Sequence, residues 1–234
     1  HLGTRLHIHH VTTAEGAALI GAARRDGIPV TGETCPQYLL LDERGYGGDP
    51  KVAASYVCAP PIRALADQQA LWAALANNDL SAVATDHCPY LRRQKEANLH
   101  DFRGVPGGMA GVETRLPLIY NAGVTGGRLS LPRFAEVWAA GPARALGLYP
   151  RKGVIQIGSD ADLVLLDPNR RVELQAANLH MNTDCLPYEG WQVQGWPVAT
   201  ILRGVSIVED GKLAHDAPLG AFVPRRLVRE NGDP

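Results

Sequence analysis

The sequence predicts an α/β fold in which a parallel sheet is followed by a smaller region of antiparallel β structure. Over residues 1–150, strand-like segments alternate with segments of helical periodicity, which is typical of βαβ units. From about residue 153, apolar residues alternate with period two and glycine-containing turns separate short strands. We therefore predict two regions, at 1–150 and 151–224, followed by a tail at 225–234.

Three short, mostly apolar segments are the predicted strands of the first region. They span residues 5–11, 29–35 and 81–86. Between the first two, residues 12–28 have helical spacing of their apolar positions, with Thr12 or Thr13 as the N-cap and Gly27 at the end. Strands joined by such a helix run parallel, so their carboxyl ends meet at one edge of the sheet.

Three further helices are predicted, at residues 67–80, 111–123 and 130–148. Asp67 starts the first of them, and an Asn-Asn-Asp cluster stops it. Ser130 caps the last helix and Pro132 lies in its first turn, where a proline is tolerated.

The second region contains β structure of a different kind. The segment 153–174 alternates apolar and polar residues, and 196–213 reads as two strands broken at Arg203-Gly204 and closed by Asp210-Gly211. An Asp-Gly pair between alternating segments is a strong hairpin signal. We expect a small sheet or sandwich packed beside the parallel sheet.

Composition excludes several classes of function. Lys and Arg number 23 against 24 Asp and Glu, so the formal net charge is -1 and a nucleic-acid partner is not expected. No apolar stretch is long enough to span a membrane. Four scattered cysteines form no Cys-x-x-Cys spacing, which favours a reducing, cytoplasmic compartment. They are Cys35, Cys58, Cys88 and Cys185.

Two polar residues occupy the position where active residues lie in α/β barrels. His10 ends the first predicted strand and Asp86 ends the third. Taken alone, each would more often be a capping or turn residue than a ligand. His7 and His9 alternate with His10 along the strand. If His10 points into a barrel, we expect His7 and His9 to point outward toward the helices.

Six segments, in this order, carry a family resemblance. They are HVTTAEGAALI, GETCPQYLLLD, YVCAPPIR, VATDHCPY, GVPGGMAGVETRLPLIYNAGV and LYPRKGVIQIGSDADLVLLDP. Together they resemble the C-terminal half of a hydantoinase or dihydropyrimidinase, cyclic amidohydrolases of the amidohydrolase superfamily, from about residue 5 to about residue 224. The resemblance implies the C-terminal part of a TIM-like (β/α)8 barrel, followed by strands of a small β-sandwich.

The resemblance also implies roles for four residues. His10 matches a ligand of the more exposed of two divalent metals, and Asp86 matches a ligand of the more buried metal that also shuttles a proton. The family holds its cyclic imide through main-chain groups at positions that fall on Ala59 and Gly107, where the family has serine and asparagine. The implied cofactor is a binuclear zinc centre, although other divalent metals fit as well.

The implied reaction is hydrolysis of the ring amide of hydantoins or dihydropyrimidines to N-carbamoyl amino acids. The family's remaining ligands are a His-x-His pair, a carboxylated lysine and a further histidine, and all belong upstream of His10. His7 and His9 match a later strand and are not that pair. Since three strands cannot close a barrel, we expect the chain to be a fragment, a split half or a truncated product. We expect it to need the N-terminal half, and to be inactive alone.

Two classes of function stay open at this point. One is the enzyme, expected as a homo-oligomer and commonly a homotetramer in this family. The other is a non-catalytic, dihydropyrimidinase-related assembly protein, although such relatives lose metal ligands and this chain keeps His10 and Asp86. Among related enzymes, CAPPIR would suit an allantoinase, whereas GETCPQYLLL, VATDHCPY and LYPRKG are closer to hydantoinases.

Overall fold

The computed structural model describes residues 3–215 and 217–226, whose backbone forms two separate sheets. The first is parallel, in the order β1 (Leu6–Ile8), β2 (Val30–Thr34) and β3 (Ala82–Val83). The second is antiparallel, in the order β4 (Leu163–Glu173), β5 (Gln192–Leu202), β6 (Val205–Glu209) and β7 (Lys212–Leu213). The parallel sheet with its helices confirms the α/β class predicted from the sequence.

Eight α-helices are present in the described part of the chain. They are α1 (Ala14–Arg25), α2 (Pro36–Leu40), α3 (Pro50–Tyr56), α4 (Leu65–Ala76), α5 (Arg92–Lys95), α6 (Arg115–Ile119), α7 (Leu131–Ala135) and α8 (Gly141–Ala145). Helices α2, α3 and α5 were not predicted, since each is too short to show helical periodicity. None of the helices described has the length and apolar character that a membrane crossing requires.

The predicted helix ends are confirmed in two cases and wrong in a third. Thr13 caps α1 by accepting the Gly16 N–H, and Ser130 caps α7 by accepting the Arg133 N–H. Helix α4 begins at Leu65 rather than at Asp67. The Asp67 carboxylate instead accepts the N–H of Ala14 at 2.8 Å, so it caps the start of α1.

The helix predicted at 111–123 begins later than expected. Its first residues are held by a side chain, because Nδ1 of His87 accepts N–H groups from Gly111 at 3.0 Å and Val112 at 3.2 Å. Helix α6 therefore begins at Arg115 and continues as a π-helical turn over Tyr120–Thr125. The helix predicted at 130–148 is continuous from α7 to α8 through a π-helical turn at Glu136–Ala140.

The hydrophobic core lies between the parallel sheet and its helices. Leu71 and Leu75 of α4 and Leu80 before β3 are fully buried there. Gly32 permits α1 to approach β2 closely, because a Cβ on Gly32 would lie 2.8 Å from the Ile20 side chain and 3.0 Å from that of Leu80. The side chains at 30, 32 and 34 therefore face the helices, and those at 31 and 33 face away.

The second sheet contains the predicted hairpins. Residues 203–204 join β5 to β6, and residues 210–211 join β6 to β7. Leu174, Tyr188 and Val193 are buried in the same cluster as the core of the parallel sheet. The described residues of this region form one sheet, so the second layer of a sandwich is not among them. Of the predicted tail, residues 227–234 lie outside the described residues.

Candidate active site

His10 lies just beyond the end of β1 in a left-handed backbone conformation, with φ of 38°. Two hydrogen bonds fix the next residue. The Val11 N–H donates to the Glu33 carbonyl at 2.8 Å, and the buried Thr34 hydroxyl donates to the Val11 carbonyl at 2.8 Å. The half-buried His10 side chain lines an open depression of about 380 Å³ between β1, the start of α1 and Pro60.

Asp86 follows β3 in the same way and is also left-handed, with φ of 47°. The Gln37 amide donates to the Thr85 carbonyl at 3.3 Å, and the Arg115 guanidinium donates to the Val83 carbonyl at 2.7 Å. These contacts hold the chain leading to Asp86 from two sides. The Asp86 side chain is exposed.

The parallel sheet brings His10 and Asp86 to the same edge. Strands β1 and β3 flank β2, so the two positions are separated by two strand spacings, about 9 to 10 Å. Within residues 3–215 and 217–226, no hydrogen bond is made to either side chain. This spacing refers to the backbones of the two residues, and the role of each side chain as ligand to a different one of two neighbouring ions stays a prediction here.

The structure brings Ala59 and Gly107 together. Both are exposed, and a Cβ on Gly107 would lie 3.8 Å from the Ala59 nitrogen. The Gly108 N–H also donates to the Val57 carbonyl at 3.0 Å, which joins the two loops. Main-chain groups from both loops are therefore available to one small molecule, although substrate contact at these positions stays a prediction.

Lys95 holds these two loops and was not singled out from the sequence. Its side chain is nearly fully buried, and Nζ donates to the Val57 carbonyl at 2.7 Å and to the Pro106 carbonyl at 2.8 Å. Burial lowers the pKa of the Lys95 ammonium below its ordinary value. The segment Arg92–Lys95 is charged and gives no sequence signal that one of its members is buried.

His87 has a structural role next to Asp86. Its Nδ1 accepts the two N–H groups of Gly111 and Val112, so the ring is neutral with Nδ1 unprotonated. Burial lowers the pKa of His87 below its ordinary value, which favours that neutral form.

The cysteines near the site are buried thiols rather than nucleophiles. Burial raises the pKa of Cys58 to about 11, and it raises the pKa of Cys35 well above its ordinary value. Because the thiolate is the reactive form, both side chains are unreactive near neutral pH. Cys35 and Cys58 therefore act as small apolar residues of the core.

The predicted outward orientation of His7 and His9 is wrong. The register pairs His7 with Thr31 and Ile8 with Gly32, so Ile8 faces the helices, whereas His7 and His9 share the opposite face with Glu33. The strand ends at Ile8 and His10 has a positive φ, so simple alternation does not extend to His10.

Glu33 was also missed, although a carboxylate at the end of a predicted strand could have signalled it. It contacts His7 at 3.0 Å and His9 at 2.7 Å. Burial raises the pKa of Glu33, but hydrogen bonds and charges from the two histidines outweigh burial, and the pKa is lowered.

Comparisons with known proteins show which family this chain resembles. A sequence model of the amidohydrolase family matches residues 2–207. D-phenylhydantoinase of Escherichia coli O1:K1 is 40% identical over 222 residues, which are 94% of this chain and 48% of that protein. The chain thus spans about half the length of the curated relatives it matches.

This chain is also similar to solved structures, again over about half of their length. The D-hydantoinase of Bacillus sp. AR9 superimposes with a TM-score of 0.91 and 40% identity, covering 95% of this chain and 49% of that one. The dihydropyrimidinase of Brevibacillus agri has a TM-score of 0.87 and 38% identity, covering 91% of this chain and 46% of that one.

Proposed function

Because this chain belongs to the amidohydrolase family, we propose that it forms the C-terminal part of a metal-dependent cyclic amidohydrolase. The proposed reaction opens the ring of hydantoins or dihydropyrimidines to give N-carbamoyl amino acids. The observation that carries the proposal is the placement of His10 and Asp86 at one edge of the parallel sheet, each in a constrained backbone conformation. The names of the relatives, hydantoinases and a dihydropyrimidinase, support this substrate class.

The side chains at this edge fit the divalent metals on which the amidohydrolase family generally depends. His10 and Asp86 would each hold one of two ions, and imidazole with carboxylate suits zinc, with other divalent metals as alternatives. When bound, such ions supply Lewis-acid polarisation of the substrate carbonyl and make a water more acidic. The family's remaining ligands would come from the N-terminal half of the barrel.

Asp86 is the proposed general base and acid. Its exposed carboxylate can take a proton from the attacking water and return it to the departing ring nitrogen. Main-chain groups at Ala59 and Gly107 would hold the imide of the substrate, and their proximity supports that assignment. Ala59 and Gly107 lack the serine and asparagine side chains that the family has at these positions, but their main-chain groups can still contact the substrate.

The architecture proposed for the whole protein is a closed (β/α)8 barrel with a small β-sandwich. The present chain contributes the last three barrel strands and four sandwich strands, with the domain boundary near residue 150 and a tail from residue 225. The N-terminal half would contribute the other barrel strands, and a cytoplasmic homotetramer is the proposed assembly. The non-catalytic assembly protein is not supported, because the relatives reported above are named as hydantoinases and a dihydropyrimidinase.

The test uses a complete barrel, made by joining the chain to the N-terminal half of the Bacillus sp. AR9 D-hydantoinase and loading it with zinc. We expect it to hydrolyse phenylhydantoin or dihydrouracil, and we expect the present chain alone to hydrolyse neither, since a catalytic zinc normally has about three protein ligands. In the complete barrel, Asp86→Asn should lower turnover by about 10²–10⁴-fold, because the amide cannot accept the proton.

Asp210→Asn is the matched control, since Asp210 lies in the β6–β7 turn, where asparagine is equally suitable. Turnover of Asp210→Asn should equal that of the parent. A folded, zinc-loaded barrel that opens neither ring would contradict the proposed function. Parental turnover in Asp86→Asn would show that another group moves the proton.

A further inference from the structure

Two histidines and a glutamate form a compact cluster on the face of β1 and β2 that looks away from the helices. Glu33 reaches His7 through Oε2, at 3.0 Å from Nε2, and His9 through Oε1, at 2.7 Å from Nδ1. One ligand atom from each of the three side chains lies within 4.8 Å of the other two. Neither His10 nor Asp86 belongs to this set.

Strand register explains why the three side chains meet. His7 lies opposite Thr31 in the parallel ladder, which ends at Ile8 and Gly32. His9 and Glu33 directly follow that last pair and contact each other through their side chains. The two rings contact each other edge to face, with centroids 4.9 Å apart. Two of the three residues, His7 and Glu33, therefore lie on strands, and His9 directly follows β1.

The donor set is that of a divalent transition-metal site. Two imidazoles and one carboxylate, with a fourth position open to water, are a common zinc coordination set. Ligand atoms around a tetrahedral zinc lie about 3.3 Å apart, given bonds of about 2.0–2.1 Å. His9 is 66% exposed, so rotation of its ring can shorten the longer separations without moving the strand.

A fourth residue supports the orientation that a ligand needs. The Thr31 hydroxyl lies 2.7 Å from Nδ1 of His7. In the tautomer that donates the Nδ1 proton to this hydroxyl, Nε2 carries the lone pair and faces Glu33. Metal-binding histidines are commonly held in this way through their second nitrogen. In that tautomer no proton lies between Nε2 of His7 and the Glu33 carboxylate. A metal ion would occupy that position and bind both atoms.

We propose that His7, His9 and Glu33 form a mononuclear binding site for a divalent transition-metal ion such as zinc, with a ligand set that excludes His10 and Asp86. The site goes beyond the proposed hydrolase function and does not depend on it, because all three ligands lie within this chain. It also gives the His-x-His sequence of β1 a role that differs from that of the family's upstream pair.

The experiment titrates the present chain with zinc by calorimetry and with cobalt by visible absorption, at a fixed chain concentration. We expect one ion per chain, with the cobalt bands of a four-coordinate site. Glu33→Gln and His9→Asn each remove one ligand and should weaken zinc binding by at least about tenfold. Loss of a residue that only supports a ligand already weakens metal binding by about 10–100-fold. Thr31→Val removes that supporting hydroxyl and should weaken binding less.

The matched controls are His10→Asn and Asp86→Asn, which should leave the affinity and the cobalt spectrum unchanged. Circular dichroism of each variant separates loss of a ligand from loss of the fold, and Thr31→Val provides a milder change if a ligand variant unfolds. Absence of stoichiometric binding by the parent chain would overturn the proposal. Binding that survives Glu33→Gln and His9→Asn but is lost in His10→Asn or Asp86→Asn would also overturn it.

Discussion

At the scale of single residues, the backbone of the two predicted ligands is as informative as their side chains. His10 and Asp86 both have a positive φ at a strand end, a conformation that costs a non-glycine residue about 1–3 kcal/mol. Such conformations persist where the surrounding structure fixes them, and here hydrogen bonds from Thr34, Gln37 and Arg115 hold the adjacent chain. Strain at both positions is consistent with a functional requirement, which supports the site proposed above.

Lys95 gives a residue-scale prediction. Replacement by methionine keeps most of the volume, but it leaves the Pro106 carbonyl without its side-chain donor and the Val57 carbonyl with the Gly108 N–H alone. We expect Lys95→Met to lower the free energy of unfolding by about 1–3 kcal/mol. Urea unfolding followed by circular dichroism, at equal chain concentrations, measures the difference.

Lys51→Met is the control for Lys95→Met. Lys51 is exposed, with an ion pair to Glu96 at 3.7 Å, and its loss should change the free energy of unfolding by less than about 0.5 kcal/mol. Equal stability of the two variants would show that the Lys95 hydrogen bonds do not hold the loops.

At the scale of elements, turn chemistry and helix interruptions follow from local sequence. Both hairpin turns have two successive positive φ values, 47° and 83° at Arg203-Gly204 and 46° and 75° at Asp210-Gly211, as the two-residue hairpin turn requires. In the long helix α7–α8, Pro142 has no N–H to donate. The N–H of Gly141 bonds to the Glu136 carbonyl five residues earlier, which is the π-helical turn.

Gly195 gives a prediction at the scale of packed elements. It lies in β5 with φ of 93°, and a Cβ there would collide with the ring of Tyr120 in the helix that follows α6. We expect Gly195→Ala to cost about 1–2 kcal/mol for the left-handed backbone, plus about 1–3 kcal/mol for the collision.

Gly190→Ala separates the two costs in the Gly195→Ala variant. Gly190 has φ of 78°, but nothing lies within 4 Å of the position of its Cβ, so it should show the backbone cost alone. Thermal or urea unfolding of both variants gives the comparison. Equal destabilisation would mean that β5 and α6 adjust to the added methyl group.

At the scale of the whole molecule, the parallel sheet is open at both edges, since within the described residues β1 and β3 each pair with β2 alone. Large apolar side chains are exposed at the β1 edge. Leu6, Leu19 and Ile28 are 54%, 72% and 54% exposed near this edge. Parallel strands are normally covered on both faces and edges, so this side of the molecule is suited to cover by further protein.

The open edge predicts how the chain behaves in solution. We expect the isolated chain to sediment as a dimer or larger species at micromolar concentration, because a second copy would cover the edge that the N-terminal half covers in the whole protein. Leu19→Lys places a charge on the exposed surface of α1 beside β1 and should shift the distribution toward monomer. Sedimentation velocity of the parent and the variant measures both effects.

Ile155→Lys is the control for Leu19→Lys, since Ile155 is also largely exposed but lies in the loop before β4, outside the parallel sheet. It should leave the sedimentation profile unchanged. A well-folded parent chain that remains a monomer at micromolar concentration would contradict the prediction that this edge needs a partner.

The sequence by itself determined the features that act over a few residues. The strand and helix alternation, the Thr13 and Ser130 caps, the hairpin turns and the positions of His10 and Asp86 at strand ends all follow from local pattern. The motif order also indicated the family that the comparisons show. Local signals suffice here because capping, turn formation and periodicity depend on neighbouring residues.

Only the tertiary structure decided which distant side chains meet. Asp67 caps a helix 53 residues earlier, Lys95 holds a carbonyl 38 residues away, and His7 contacts Glu33 across 26 residues. These contacts depend on strand register and on which polar groups are buried away from water and so need a partner within the protein. Neither feature can be read from a short stretch of sequence. The orientation of His7 and His9 was decided in the same way, because Gly32 lets α1 pack against the other face of the sheet.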